Sequence, residues 1–204
     1  MIGPVRRAAR LLAYVGLAVA LAAAVFVGGG APAQAAVTPP PGQWVELFNP
    51  LAPLVDGRFH VCMDVPSGTS DDEFLWMYHC HGHDGNGGPQ RFTFIHLSGD
   101  AYWIQNVQSG KCLTPGWRAT TNPRPSPPFP RWINLPTAIQ RTCGSFDGQA
   151  WRLAPSAFGS EYFALRNDSP NYAGKCLTAQ GFETSRVEWW DCDTTWQTQT
   201  WTFG

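Results

Sequence analysis

Charge is scarce in this chain. Only 14% of its 204 residues are charged, and the 14 lysines and arginines nearly cancel the 15 acids. No basic stripe or cluster stands out, which argues against the electrostatic footprint of a nucleic-acid partner or of attachment to an anionic membrane surface. Catalytic signatures are missing as well: there is no G-x-S-x-G, no H-E-x-x-H and no pair of carboxylates placed by a glycosidase-like motif. Ser67 and Ser70 have no local histidine and acid arranged as a triad. The expectation is a protein that is not an enzyme and takes no cofactor.

Long apolar runs are confined to the N-terminus. Arg6, Arg7 and Arg10 precede an apolar stretch from Leu11 to Val27, followed by "APAQAA" with an A-x-A site ending at Ala35. This order reads as a secretory signal peptide over residues 1–35, with a retained anchor as the other reading, because 17 apolar residues reach the lower edge of a membrane span. Cleavage would remove three arginines and no acid, moving the formal charge from −1 to −4 and leaving no stable membrane insertion. A flexible segment, 36–42, would then lead into one domain, 43–204.

What the chain does have is aromatics and turn formers: 10 Trp, 12 Phe, 21 Gly and 18 Pro. Together with low charge they indicate short strands, tight turns and little helix. All six cysteines lie after residue 35, and an even number in an exported chain implies three disulfides. Six cysteines allow fifteen pairings, so spacing alone does not choose.

Repetition supplies the missing constraint. "WVELFNP" from Trp44, "AYWIQNVQSGKCLT" from Ala101 and "EYFALRNDSPNYAGKCLT" from Glu161 align, each with an alternating strand running into Asn49, Asn106 or Asn167. Downstream, "MYHC…PQRF", "IQRTC…GQAW" and "EWWDC…TQTW" align too. Every copy runs strand, Cys, loop, Cys, loop and then Gln-x-aromatic, giving repeats near 43–99, 100–158 and 159–204. One such unit cannot bury its own apolar face, whereas three around a pseudo-threefold axis can share a core. Phe92, Trp151 and Trp201, behind Gln90, Gln149 and Gln199, are the expected shared core. The simplest pairing repeats within each unit: Cys62 with Cys80, Cys112 with Cys143, Cys176 with Cys192. The second copy holds a proline-rich insertion, 115–136, whose prolines disfavour strand pairing and suggest an extended, partly polyproline surface segment.

Three Cys…Cys…Gln-x-Trp/Phe units in phase resemble the ricin-type β-trefoil lectin domain, the Q-x-W domain or carbohydrate-binding module family 13. The resemblance covers roughly Gln43 to Gly204 and implies an all-β trefoil of twelve strands, six forming a short barrel and six capping it. It also implies binding of galactose-type sugars or a polysaccharide in up to three shallow pockets, one per repeat. Such a pocket pairs an aromatic face with carboxylate and amide groups for the sugar hydroxyls. In the family the carboxylate lies two residues after the first Cys, the stacking aromatic two before the second, a Gln four before it, and an Asn just before Gln-x-Trp.

By that pattern the first copy offers Asp64 and Tyr78, with Trp76 at the Gln position and Pro89 at the Asn position. The second copy has Thr114, Arg141 and Gly148, and reads as structural. The third has Thr178 in place of the Asp, but Glu188 at the polar position and Trp190 at the stacking one. Trp189 should point the other way along its strand, into the core.

Two further readings compete with a secreted, extracellular lectin. One is a β-trefoil with decayed sugar pockets that binds a protein partner, as an inhibitor, toxin accessory subunit or adhesin-like factor. The other is a metal site in "HCHGH", since His79, His81 and His83 alternate as they would on one face of a strand. The glycines that follow put the strand end near Cys80, which argues against that face. From Cys80 to Gln90 is ten residues, against six and seven in the other copies. The lengthened loop makes His83 and Asp84 candidate replacements for the polar groups missing at Trp76 and Pro89.

Overall fold

A computed structural model describes residues 37–52, 60–66, 68–82, 88–121, 132–179 and 183–204. The signal-peptide reading and the candidates His83 and Asp84 lie outside the described residues. Each repeat opens on a barrel strand, continues through a hairpin and returns to the barrel. The first contains β1 (Trp44–Phe48), β2 (Val61–Asp64), β3 (Glu73–Phe74), β4 (Trp76–His79) and β5 (Arg91–His96). The second contains β6 (Tyr102–Asn106), β7 (Cys112–Thr121), β8 (Trp132–Arg141) and β9 (Trp151–Ser156). The third contains β10 (Gly159–Asn167), β11 (Lys175–Ala179), β12 (Val187–Asp191) and β13 (Thr202–Phe203).

Antiparallel pairing runs β1–β5–β6–β9–β10, and β13 pairs back onto β1. Reciprocal backbone hydrogen bonds between Phe163 and Trp201, 3.0 and 2.8 Å, join the last strands and complete a six-strand ring. The hairpins β2/β4, β7/β8 and β11/β12 make the cap. This is the β-trefoil architecture, with Cys62–Cys80, Cys112–Cys143 and Cys176–Cys192 each bridging one hairpin. Phe92, Trp151 and Trp201 are buried together with Leu47, Ile104, Phe163, Leu165 and Leu177, so the three repeats share one core.

The three glutamines explain why the unit recurs. Gln90 donates to Asp64 and to the His79 carbonyl, and accepts from the His81 N–H. Gln149 does the same with Thr114, Thr142 and Gly144, and Gln199 with Thr178, Asp191 and Asp193. Each buried amide therefore ties the two ends of its own hairpin together and has its own donors and acceptor met. Asn49, Asn106 and Asn167 in turn donate to the carbonyls of Gln197, Pro89 and Gly148, so each repeat clamps the turn of the preceding one. Gln149→Ala is expected to cost about 1–3 kcal/mol, because it strands the Gly144 N–H and removes the donors to Thr114 and to the Thr142 carbonyl, which keeps its bond from Ser145. A thermal or urea melt against wild type checks it.

Two sequence expectations change here. Among the described residues there are thirteen strands instead of twelve: β3 is an added two-residue strand from the first repeat that pairs with β8 of the second. The prolines also do not keep the insertion out of the sheet. β7 and β8 pair over ten positions, with Pro115 opposite Ala138 and Pro136 opposite Trp117. The carbonyls of Ala138 and Gln140 accept from Leu75 and Asp72 on the neighbouring segment, so those residues turn their hydrogen-bonding groups away from β7. Pro115 and Pro136 share that alternation. They occupy non-hydrogen-bonded pairs, where a missing N–H costs the ladder nothing. Residues 122–131 lie outside the described part.

Candidate functional site

Register decides which side chains meet. In the first hairpin Asp64 lies opposite Trp76, and Cys62 opposite Tyr78. Strand alternation puts these four on the outward face, while Val61, Met63 and Met77 fill the core. Asp64, Trp76 and Tyr78 are thereby brought together. Tyr78 is 37% exposed, whereas Asp64 is 4% exposed and accepts from Gln90 at 2.9 Å. Burial raises the Asp64 pKa above its ordinary 3.8; the Gln90 bond and the nearby His81 and His79 pull it back down in part.

Around Tyr78 the surface is aromatic and titratable. The His79 and His81 rings lie 4.3 and 5.7 Å from its centroid, and His79 Nδ1 meets Glu183 of the third repeat at 2.7 Å. His79 ends β4 and His81 lies past it, yet their rings lie 4.8 Å apart. Glu46, Cys62 and Cys80 also bring three potential metal donors close together, but both sulfurs are locked in one disulfide and offer no thiolate.

Trp76 is not bare. The Arg186 guanidinium, from the third repeat, lies 4.3 Å over its ring and 4.2 Å over that of Phe74. The Gln position is thus filled by an indole, and a cation from another repeat sits on top of it. Nothing in the repeat alignment marks Arg186 or Glu183, because the groups they meet belong to a different repeat.

In the third hairpin Thr178 faces Glu188 and Cys176 faces Trp190. Trp190 is 43% exposed and its indole N–H donates to Glu188 at 2.9 Å, which holds ring and carboxylate as a unit. Trp189 points inward, as expected: it is buried, donates to the Gly116 carbonyl at 2.9 Å, and packs edge-on against Trp117 and Tyr172. The second hairpin presents a different surface. Arg141 lies 3.8 Å over Phe146 and pairs with Asp72. Beside it, hydrogen bonds from Lys111 and Thr142 hold the Asp71 carboxyl below its ordinary range. Gly148 replaces the family Asn there because its φ is +94° and a Cβ would fall 2.7 Å from the Tyr172 ring.

Comparison with known proteins places this geometry. Residues 88–173 match the family described as ricin-type beta-trefoil lectin domain-like. No curated protein matches the chain. Among solved structures, the designed threefold-symmetric protein ThreeFoil superposes with a TM-score of 0.56 at 21% identity, over 78% of this chain and 96% of that one. The Rhizoctonia solani agglutinin superposes at 0.57 with 14% identity, covering 82% and 98%. The cytolethal distending toxin of Actinobacillus actinomycetemcomitans superposes at 0.53 with 18% identity, covering 80% and 91%. Identities this low carry the fold and not the ligand. The chain is a β-trefoil whose residues 88–173 carry a ricin-type lectin-like sequence.

Proposed function

We propose that this is a secreted, non-catalytic carbohydrate-binding protein whose principal pocket is the outward face of the first hairpin. One observation carries the reading. All three glutamines need an acceptor two residues past the first cysteine, and in two repeats a threonine hydroxyl serves. Only the first repeat buries a carboxylate there, at a desolvation cost that a hydroxyl avoids, and places the exposed Tyr78 ring beside it. A buried carboxyl with a shifted pKa, kept where structure does not require one, is a mark of a binding site. Tyr78 offers a face for the C–H side of a sugar, and Asp64 accepts from its hydroxyls. Trp190 with Glu188 forms a second, weaker pocket on the third hairpin.

Three disulfides suit an oxidising compartment. Among the described residues no helix is long and apolar enough to cross a membrane. Galactose-type sugars or a polysaccharide are the ligand class that the family likeness favours. A shallow single pocket binds weakly, so two pockets on one chain would act together on a polymer.

A glycan and polysaccharide array with the purified protein tests this. Tyr78→Ala is expected to cut the signal roughly tenfold, in line with loss of one stacked aromatic, and Trp190→Ala to cut it less. Signal untouched by both substitutions would remove the site assignment. Silence across the whole array would favour the protein-partner reading, for which the 54% exposed Trp117 on the long β7/β8 hairpin is the candidate contact.

A further inference from the structure

Arg186 and Arg118 are out of place in a chain this poor in charge. The Arg186 guanidinium is clamped against the Phe74 and Trp76 rings, and its Nη1 is sealed from solvent with no acceptor. Arg118 lies on β7 opposite Leu135, two positions from the Gly116–Thr137 pair. That pair is bonded to β12 at both ends: Trp189 donates to the Gly116 carbonyl, and Thr137 donates to the Val187 carbonyl beside Arg186. The two cations are therefore held on neighbouring segments, close enough that Arg118 acts on Arg186 by like-charge repulsion. Among the described residues no carboxylate is within ion-pair distance of either one. Asp64, across the ladder from Trp76, is bonded to Gln90, and Glu183 to His79.

Two uncompensated guanidiniums drawn together cost free energy in the unliganded protein, and an anion between them would offset that cost. Their planar, multiply donating forks suit carboxylate or sulfate oxygens better than neutral hydroxyls. The location is also specific. Phe74, Trp76 and Tyr78 alternate along one outward face, which spans roughly 13 Å at a strand's rise per residue. A chain of sugars lying along it would have one ring on Tyr78 and Asp64 and the next beside Arg186.

We propose that Arg186 and Arg118 form an anion-recognising subsite beside Trp76, so that the glycan bound on the first hairpin is acidic and carries uronate carboxylates or sulfate esters. This rests on the carbohydrate-binding reading and adds the substrate class. The aromatic clamp pre-orients Arg186, so the part of its fork that is not sealed meets a ligand without first losing side-chain freedom.

The test measures affinity of the full protein for two matched pairs of polymers: polygalacturonate against its methyl ester, and dextran sulfate against dextran. At least one acidic polymer should bind roughly tenfold tighter than its neutral partner, with the difference shrinking as salt is raised. The pair that shows it identifies carboxylate or sulfate. Arg118→Gln, which removes no hydrogen bond or ion pair from the described fold, should erase most of that preference, and Arg118→Lys should keep part of it. Arg186→Gln should erase it as well, with a thermal melt reporting whether the Phe74–Trp76 stack survives. Equal binding of acidic and neutral partners would overturn the subsite and leave the lectin reading standing. An acidic preference unchanged in both glutamine variants would also overturn it. Binding of none of the four polymers, with silence on the glycan array, would remove both.

Discussion

Trp201→Ala is expected to lower unfolding free energy by about 3–5 kcal/mol, the range for deleting a fully buried aromatic, and to drop the melting midpoint by roughly 10 °C. Two losses, of packing and of a side-chain hydrogen bond, coincide here at a seam of the barrel. Its ring has no solvent exposure and lies in the shared core with Phe163 and Leu165. Its indole N–H donates to the Leu177 carbonyl at 3.2 Å, the same bond that Trp151 makes to Leu113 at 3.0 Å. Its backbone bonds to Phe163 join β10 to the end of the chain, and with β13 on β1 they complete the barrel. Trp201→Phe separates these contributions. It keeps most of the packing and strands only the Leu177 carbonyl, so about 1–2 kcal/mol is expected. The first repeat shows that such a core is tolerated, since Phe92 stands at the equivalent place. Near-UV circular dichroism melts of both variants check the order. A loss under 1 kcal/mol for the alanine variant would mean that the barrel does not depend on its third seam.

The fold was legible because its decisive interactions occur three times. A single Gln-x-aromatic says little. In phase with cysteine pairs it marks a hairpin whose two ends are held by one buried amide, and Gln90, Gln149 and Gln199 make that same set of bonds. Features that occur once were harder to read. Pro115 and Pro136 looked like strand breakers because a proline's cost depends on which way its missing N–H would point, and that is a property of the ladder. β3 exists because the long link between β2 and β4 reaches another repeat and satisfies its backbone there. In the candidate site, the residues supplied by the first hairpin followed from spacing relative to its own cysteines. Arg186 and Glu183 did not, since a partner contributed by a different repeat leaves no trace in an alignment of repeats. His83 and Asp84 lie outside the described residues.

Asp64→Thr is expected to separate fold from function most sharply, leaving the melting midpoint at neutral pH unchanged or raised while lowering affinity for the bound glycan about tenfold or more. The substitution installs what the other two repeats already use. Thr114 and Thr178 accept from their glutamines at 2.9 and 3.2 Å and donate to the carbonyls of Cys112 and Cys176. A threonine at position 64 has the same partners available in Gln90 and Cys62. The sign of the pH effect follows from burial. The Asp64 pKa is raised in the folded protein, so the folded state binds that proton more tightly than the unfolded state does. The carboxyl's contribution to stability is thus fully present below its ordinary 3.8 and is lost as pH rises through the folded-state value. Threonine has nothing to titrate, so the variant should gain on wild type across that interval and hold the gain at neutral pH. Melts at several pH values measure this, and titration of the glycan selected on the array measures the affinity. Asp64→Asn provides the control for shape, because its amide oxygen can take the Gln90 bond with no charge. If both variants melt like wild type and bind like wild type, the buried carboxylate is only an alternative way to anchor Gln90, and the first hairpin loses its claim to be the principal pocket. If both keep the fold and lose the glycan, the charge is retained for the ligand, against the small cost of burying it.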